Sequence, residues 1–422
     1  MKGIEEKQIE APYELPEGWK WCRLGDFINI FRGVSYKKND AHNEKQENDC
    51  LIIRGGNIDE GCINLNSDNV FVNKSLVSEN QIIKKNDVII VTSTGSIKVI
   101  GRAGVSASDY EDVAFGAFLT LARPNEKANK SFVNQYFQSS LYRERIRQLA
   151  SGVNINNIRI EYITESPFPL PPTLAEQQRI VNRIESMFAK LDEAKEKAQN
   201  VVDGFETRKS AILHKAFTGE LTAKWRKENG VSDDSWEEKR FDEVADIKSN
   251  LVDVAEFQDF PHIAPDNIEK KTGVLLEYHT VAEDKVKSGK HRFYAGQILY
   301  SKIRPYLSKV VVVDFDGVCS ADMYPIEAKG NTRFLWYQML SNEFLDKASN
   351  SGSRSVLPKI NQKELSIIPM RICSLPEQQE IVRILDTVLE KESRAKEAAQ
   401  TVLEQIALLK KSILARAFRG EL

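Results

Sequence analysis

The sequence predicts an α/β (α+β) chain in which two strand-rich globular regions alternate with two long helices. Three observations support this prediction: the length, an internal repeat, and a heptad-like spacing of apolar residues within each repeat. At 422 residues, of which 41% are hydrophobic, the chain exceeds the usual size of one domain and is able to fill more than one core. We therefore expect at least two globular units.

The internal repeat is the strongest feature of the sequence. Residues 174–221 and 375–422 align without gaps, and roughly 21 of about 48 positions are identical. Weaker upstream matches pair Trp19 with Trp236, 57–58 with 267–268, 86–89 with 296–299, and 151–152 with 351–352. The predicted boundaries are 1–173 and 222–373 for the globular regions, and 174–221 and 374–422 for the helices.

The globular regions are predicted to be rich in strands. Short runs of β-branched residues bounded by Gly, Asn and Asp, such as 87–91 and 309–313, are typical of strands between turns. Helical spacing near 132–150 and 333–348 adds a helix to each region.

The repeated segments have the apolar spacing of long helices, with steps that alternate between four and three residues. The first series is Ile180, Ile184, Met187, Leu191, Ala194, Ala198, Val201, Phe205, Ile212 and Ala216. The second is Ile381, Leu385, Val388, Ala395, Ala399, Val402, Ile406, Leu409, Ile413 and Ala417. Arg208 interrupts the first series, and Glu392 stands where the first copy has Leu191, so we expect looser pairing at that level.

The two predicted helices have matching ends. Each begins with a capping box, in which a hydroxyl and a glutamate three residues later satisfy free amide groups, and each ends at a glycine suited to a left-handed residue. The matched pairs are Thr173 and Ser374, Glu176 and Glu377, and Gly219 and Gly420. At 1.5 Å per residue, a helix of about 44 residues is ~65 Å long.

A helix with one apolar seam must bury that seam, and the same seam occurs once more in the sequence. We therefore predict that the helices pair with each other in antiparallel fashion, with an approximate two-fold axis that places the globular regions at opposite ends. The alternative is that each helix covers only its own globular region.

Composition excludes several classes of protein. The five cysteines are odd in number and lack a Cys-x-x-Cys pair, which favours a reducing compartment over a disulfide framework or a zinc site. The N-terminus has no apolar core typical of a signal peptide, and the longest apolar runs are far shorter than the ~20 residues of a membrane helix. We expect a soluble cytoplasmic protein without a membrane partner.

No motif for cofactor chemistry occurs. The sequence lacks a phosphate-binding loop, a dinucleotide fingerprint, a zinc-protease motif and an EF-hand, so no cofactor or metal is expected. One trace, 265–266 followed by 283–285, resembles the metal site of many endonucleases, but the other repeat lacks it and a highly charged chain produces such loose matches easily. The five histidines are dispersed, and we interpret them as isolated surface or core residues.

The sharpest local anomaly of charge lies between Lys285 and Lys309. This stretch has about seven lysines and arginines, no carboxylate and several tyrosines, a composition that suits phosphate neutralisation and contact with base edges. The candidate DNA-binding residues are Lys290, Arg292, Ser301, Lys302, Arg304, Tyr306 and Lys309. The alternative is a solvated basic loop.

The equivalent place in the first repeat is VTSTGSIKVIGR. Small hydroxyl residues and Gly95 allow backbone amides to approach phosphate, and two cations follow at once. The candidates here are Thr92, Ser93, Thr94, Ser96, Lys98 and Arg102. Secondary candidates are Arg54, Lys37 and Lys38 in the first region and Arg354 and Lys359 in the second.

These residues resemble those of a known family. The helix starts PLPPTLAEQQRIV and CSLPEQQEIV, the helix ends KAFTGEL and RAFRGEL, the opening LPEGWKWCRLGDF and the segment LYSKIRPYLSKV are similar to those of type I restriction-modification specificity subunits. The resemblance covers nearly the whole chain and carries no information on the DNA sequence recognised.

The resemblance implies a non-catalytic subunit with two target-recognition domains, each contacting one half of a bipartite double-stranded DNA site. Residues 1 to about 170 and about 222 to 373 would be these domains, and 174–221 and 375–422 would set the spacing and dock modification (methyltransferase) subunits, two in number, to which restriction (nuclease and translocase) subunits add. Each domain would enter the major groove about one turn from the other. The alternatives are an assembly protein that organises partner subunits without contacting DNA, and an autonomous nuclease or methyltransferase.

Overall fold

The computed structural model describes residues 11–66, 68–151, 157–350 and 358–422. The chain forms two units, one of Met1–Ala198 with Thr401–Leu422 and one of Gln199–Gln400. We call them unit 1 and unit 2. Each unit contains one globular region and part of each repeated helical segment. No helix in the described ranges combines the length and the apolar character that a membrane span requires.

Unit 1 begins with the strands β1 (Lys20–Arg23), β2 (Ile28–Arg32), β3 (Asp49–Ile53), β4 (Gly61–Cys62), β5 (Val70–Asn73), β6 (Val88–Val91), β7 (Ala103–Val105), β8 (Val113–Phe115) and β9 (Leu119–Pro124). The helices α1 (Lys130–Gln138), α2 (Ser140–Ser151) and α3 (Ile160–Thr164) follow, then strand β10 (Pro167–Leu170) and helix α4 (Leu174–Asp203).

The repeated helical segment continues in unit 2 as α5 (Phe205–Thr218) and the short α6 (Ala223–Glu228). The strands are β11 (Glu237–Arg240), β12 (Ala245–Ile247), β13 (Leu251–Val252), β14 (Pro261–Ile263), β15 (His279–Thr280), β16 (Lys290–Phe293), β17 (Ile298–Ser301), β18 (Val310–Val312), β19 (Gly317–Cys319), β20 (Met323–Ala328) and β21 (Pro369–Ile372). The remaining helices are α7 (Phe241–Val244), α8 (Thr332–Met339), α9 (Asn342–Asn350), α10 (Gln362–Ser366) and α11 (Leu375–Phe418).

The two units have related sheets. In unit 1 one sheet has the order β2-β9-β6-β7-β4 and another β5-β3-β8, and in unit 2 the orders are β12-β20-β17-β18 and β13-β16-β19-β14-β15. The central strands match, because β6 lies between β9 and β7 as β17 lies between β20 and β18. Both units also contain a matching parallel pair, β3 with β8 and β14 with β19, and unit 1 has a second parallel pair, β4 with β7. The predicted strand-rich repeat with mixed α and β structure is confirmed.

The core of each unit includes the C-terminal end of a repeated helix. In unit 1, Phe418 from the end of α11 packs 5.0 Å from Phe132 between ring centroids and joins the core that contains Ile180 and Ile184. In unit 2, Phe217 from the end of α5 packs 5.4 Å from Phe334. Burying one such aromatic side chain contributes roughly 1.5–3 kcal/mol.

Within each unit the two helical segments run antiparallel. In unit 1, Asp192 forms an ion pair with Lys410 at 2.5 Å, while Ile180, further toward the N-terminus, lies in the core beside Phe418. In unit 2 the ammonium of Lys396 lies 4.4 Å from the ring centroid of Phe205. Residue numbers rise along one helix as they fall along the other. The prediction of antiparallel pairing is confirmed, and the alternative that each helix covers only its own region is wrong.

The two polar interruptions of the seam bind each other. The guanidinium of Arg208 donates to the carboxylate of Glu392 at 2.7 Å and to the carbonyl of Val201 at 2.9 Å. The expectation of loose pairing at Glu392 is therefore wrong, because the charge is compensated by a partner from the facing helix.

The same arginine explains a second difference from prediction. The first segment is not one uninterrupted helix, since α4 ends at Asp203 and α5 begins at Phe205. Arg208 folds back over Gly204, where an added Cβ would lie 2.4 Å from its guanidinium nitrogen. Because Arg208 takes the carbonyl of Val201, it competes with the regular helical hydrogen bond at this turn.

Thr173 and the two terminal glycines behave as predicted, whereas the two matched glutamates do not. The amide of Glu176 donates to the hydroxyl of Thr173 at 3.1 Å, and Gly219 and Gly420 have positive φ angles of 86° and 75°. The Glu176 carboxylate, however, accepts hydrogen bonds from Arg179 at 2.8 and 2.7 Å.

Glu377 has a different environment from its counterpart Glu176. Its side chain is fully buried, and its carboxylate accepts hydrogen bonds at 2.7 Å from both Arg226 and Thr222 and at 3.2 Å from the Trp236 indole. These three donors lie in the segment that follows α5. Glu377 thus fixes the start of α11 to the connection between the first repeat and the second.

We predict that Glu377→Gln destabilises unit 2 by about 3 kcal/mol, because the amide removes the buried negative charge that accepts the hydrogen bonds of Arg226, Thr222 and Trp236. The measurement is urea unfolding followed by hydrogen exchange, which resolves the amides of unit 2 from those of unit 1. Glu176→Gln is the matched control, and it should change stability far less because its partner Arg179 is half exposed. Equal losses in the two variants would contradict the prediction.

Candidate nucleic-acid interface

The loop that follows β6, residues 92–102, is fixed at its start by backbone hydrogen bonds from two sides. The amide of Ile158 donates to the carbonyl of Thr92 at 2.8 Å, and Ser93 forms a β-bridge with Asn157. The amides of Thr92 and Ser93 both donate to the carbonyl of Phe118 at 3.1 Å. We call this segment the β6 loop.

The loop that follows β17, residues 302–309, is fixed by the same arrangement. The amide of Ile360 donates to the carbonyl of Lys302 at 2.9 Å, Ile303 bridges Lys359, and the amide of Lys302 donates to the carbonyl of Asp322 at 3.0 Å. We call this segment the β17 loop. These shared contacts make Lys302 the structural counterpart of Thr92, which confirms that the two candidate segments are equivalent.

Exposure differs among the candidates of the β6 loop. Thr92 is buried, and its hydroxyl lies 3.2 Å from the Phe118 carbonyl and 3.1 Å from the Thr120 hydroxyl, so it supports the loop. The exposed positions are Gly95, Ile97 and Lys98. Ser93, Thr94 and Ser96 are half-buried.

Two arginine candidates of unit 1 have partners within the protein. Arg102 donates to the carbonyl of Ile58 at 3.2 Å. Arg54 forms an ion pair with Asp68. Their guanidinium groups therefore stabilise the loops of unit 1, and they are weaker candidates for phosphate contact than Lys98.

The β17 loop presents Arg304 and Tyr306 at the surface. Arg304 has a positive φ of 48°, unusual for a residue with a side chain, and its amide donates to the carbonyl of Pro358 at 2.8 Å. Tyr306 is 46% exposed. Arg304 is exposed, whereas Lys302 is half-buried and its ammonium lies 5.3 Å from the ring centroid of Tyr324.

Other candidates of unit 2 are internal. Ser301 is buried and its hydroxyl donates to the carbonyl of Ile303, while the ammonium of Lys309 donates to the carbonyl of Pro265 at 2.7 Å. Lys290 is also buried, and burial lowers its pKa. These side chains support the sheet beneath the loop.

Arg292 lies between two aromatic rings. Its guanidinium carbon is 5.2 Å from the ring centroid of Phe257 and 4.9 Å from that of Tyr294. Stacking of this kind orients a guanidinium without neutralising it. Arg354, the remaining candidate, lies outside the described residues.

His291 lies close enough to the β17 loop to interact electrostatically with Lys302. Burial, and then the ammonium of Lys302, lower the pKa of His291. Since the ordinary pKa of histidine is about 6.5, His291 is neutral at neutral pH and adds no positive charge to the loop.

Two arginines of α2 that no sequence motif singles out hold the β6 loop. Arg143 donates to the carbonyl of Ile100 at 2.7 Å and to that of Lys98 at 3.3 Å, and Arg147 donates to the carbonyl of Lys98 at 3.3 Å. Burial, and then the neighbouring Arg147, lower the pKa of Arg143. Their four-residue spacing places both on one helix face, and this spacing is the sequence feature from which a shared role could have been predicted.

The residues of the nuclease-like motif, 265–266 and 283–285, do not form a metal site. Asp266 is fully exposed, and Asp284 lies 2.7 Å from the ring of His262 and 3.4 Å from that of His279. Within the described ranges, no three His, Cys, Asp or Glu residues are grouped to hold a metal ion. The prediction that all histidines are isolated is wrong for this pair, because one carboxylate joins them.

The chain is similar to proteins of a known family over most of its length. Residues 16–202 and 233–405 match the family model described as type I restriction modification DNA specificity domain. The chain is 40% identical over 300 residues to the type I restriction enzyme EcoDI specificity subunit of Escherichia coli, covering 66% of this chain and 67% of that one. It is 28% identical over 440 residues to the EcoKI specificity subunit of Escherichia coli strain K12, covering 97% and 90%.

A solved structure shares the fold. The chain is similar to the HsdS subunit from Thermoanaerobacter tengcongensis with a TM-score of 0.60, over 98% of this chain and 100% of that one. The sequence identity is 19%, so this likeness concerns the fold alone.

We predict that Arg143→Met loosens the β6 loop. Methionine keeps the apolar stem of the side chain but removes its hydrogen bonds to the carbonyls of Ile100 and Lys98, so exchange of the amides of 96–102 should accelerate about 10-fold. Hydrogen exchange by mass spectrometry measures this rate. Arg145→Met, on the same helix, is the control that should leave the loop unchanged. Equal acceleration in both variants would instead indicate a general loss of helix stability.

Proposed function

Because the chain belongs to the family of type I restriction-modification specificity subunits, we propose that it recognises double-stranded DNA and catalyses no reaction itself. Each globular region would contact one half of a bipartite site, with 1–173 as the first target-recognition domain and 222–373 as the second. The helical segments 174–221 and 374–422 would set the spacing between half-sites.

The observation that carries this proposal is the equivalence of the β6 and β17 loops. Both follow the central strand of a sheet, and the same backbone hydrogen bonds fix both. A recognition surface must be held rigidly if it is to discriminate between bases, and these hydrogen bonds supply that rigidity.

The two loops differ in chemistry. The β6 loop has small hydroxyl residues and Lys98, whereas the β17 loop has Lys302, Arg304 and Tyr306. Lysine and arginine neutralise phosphates, while arginine, serine and threonine also reach base edges in the major groove. Unlike side chains on equivalent loops are what two different half-sites would require.

The helices supply a surface for protein partners. Leu408 of α11 is 66% exposed and its neighbour Leu409 is 49% exposed. Apolar side chains of this size on one helix favour contact with another subunit. We propose that modification subunits, two per complex, dock on the helical segments, that restriction subunits join them, and that the complex acts in the cytoplasm without a cofactor bound to this chain.

We predict that the full chain binds duplex DNA with an affinity that falls steeply as salt rises, because each phosphate neutralised by lysine or arginine releases counterions. Filter binding from about 50 to 200 mM salt measures the slope. An assembly protein that does not contact DNA would show no such binding. Cleavage or methyl transfer by the purified chain alone would contradict the non-catalytic role.

We predict that replacing both Lys302 and Arg304 by alanine weakens discrimination at one half-site only, since both lie on the β17 loop. Selection from a pool of duplexes with random bases, followed by sequencing, reports the preference at each half-site separately. Lys227→Ala, which removes an exposed cation from α6 of the same unit, is the matched control. Equal losses at the two half-sites would contradict the assignment.

A further inference from the structure

Two tight turns occupy equivalent places beside the two loops. In unit 1 the turn Gly116–Leu119 joins β8 to β9, and the amide of Leu119 donates to the carbonyl of Gly116 at 2.9 Å. In unit 2 the turn Ser320–Met323 joins β19 to β20, and the amide of Met323 donates to the carbonyl of Ser320, also at 2.9 Å. The third residue is Phe118 in one turn and Asp322 in the other.

Both turns are held by the same neighbours. The amide of Gly116 donates to the carbonyl of Ile53 at 3.0 Å, as the amide of Ser320 donates to that of Ile263 at 2.8 Å. The carbonyls of Phe118 and Asp322 accept the amides that begin the β6 and β17 loops. Each third residue therefore has a fixed backbone, and its side chain is the variable part of a shared framework.

The Phe118 side chain is 70% exposed. Its backbone carbonyl accepts the amides of both Thr92 and Ser93, so the backbone that carries the ring is fixed beside the start of the β6 loop. The flanking Ser93 and Thr94 are polar. A large aromatic ring held in water beside a candidate DNA-binding loop is unfavourable in the free protein and available for an apolar contact in a complex.

At the equivalent position the Asp322 carboxylate is 41% exposed and accepts a hydrogen bond from Lys359 at 3.1 Å. Since an ionised carboxylate only accepts hydrogen bonds, it favours a base that presents a donor. In a complex, the Lys359 ammonium would offset the repulsion between this carboxylate and the phosphates of DNA.

We propose that Phe118 and Asp322 are specificity-determining residues, one for each half-site. Phe118 contacts the methyl group of a thymine, the apolar group that the major groove presents. Asp322 accepts a hydrogen bond from the exocyclic amino group of a cytosine. This inference rests on the proposed function. It adds two residues outside the basic loops, which a search for clustered lysines and arginines does not identify.

The test is selection by the full chain from a pool of duplexes with random bases, repeated for Phe118→Ala and Asp322→Asn. We expect Phe118→Ala to lower discrimination about 10-fold at a thymine of one half-site, and Asp322→Asn to do so at a cytosine of the other. Each variant should leave the opposite half-site unchanged. Leu76→Ala, which removes another exposed apolar side chain from unit 1, is the control and should leave both half-sites unchanged.

A second measurement isolates the methyl contact. Replacing the affected thymine by deoxyuridine removes only its methyl group, so it should weaken binding by the unmodified chain several-fold and have no further effect on Phe118→Ala. The outcomes separate the two proposals. If the unmodified chain selects no duplex, the proposed function fails and this inference fails with it. If the chain selects a bipartite site that Phe118→Ala and Asp322→Asn select identically, or if a variant loses affinity for all duplexes equally, this inference alone is overturned.

Discussion

The packing of the repeated helices against each other is the constraint on which the rest of the structure depends. Their apolar seam extends into the core of each unit, where Phe418 meets Phe132 and Phe217 meets Phe334. Neither globular region has a complete core without residues from both repeats, because unit 1 takes its last helical residues from 401–422 and unit 2 takes the end of α5. Each unit can therefore complete its core only when the helical segments of both repeats are paired within it.

A duplicated sequence does not use its matched residues in the same way. Glu176 and Glu377 align, yet Glu176 binds an arginine of its own helix, whereas Glu377 is buried among Arg226, Thr222 and the Trp236 indole. The difference follows from connectivity, since the chain continues from α5 into unit 2. A buried carboxylate requires compensating donors, and the connecting segment provides them.

The sequence contained most of the information on the helices and little on the interface. Apolar periodicity and terminal glycines are local patterns, so they predicted the antiparallel seam and the positive φ at Gly219 and Gly420. The pairing of Arg208 with Glu392 joins residues far apart in the chain, and no local pattern indicates it. Among the candidate residues, composition identified Lys98 and Arg304, which lie at the surface. It could not show that Arg54 forms an ion pair with Asp68. Phe118 has no charge and belongs to no periodic apolar pattern. Its exposure becomes apparent only from the geometry of the turn.

The Arg208 and Glu392 pair also governs which helices associate. In the other copy the aligned positions are Leu191 and Leu409, so two first segments joined in the same register would place Arg208 against leucine, and two second segments would do the same to Glu392. Either homotypic assembly would leave a partly buried charge without its counterion, whereas the pairing within one chain satisfies both. One pair of charges thus favours the pairing of the two unlike segments within one chain over the pairing of like segments.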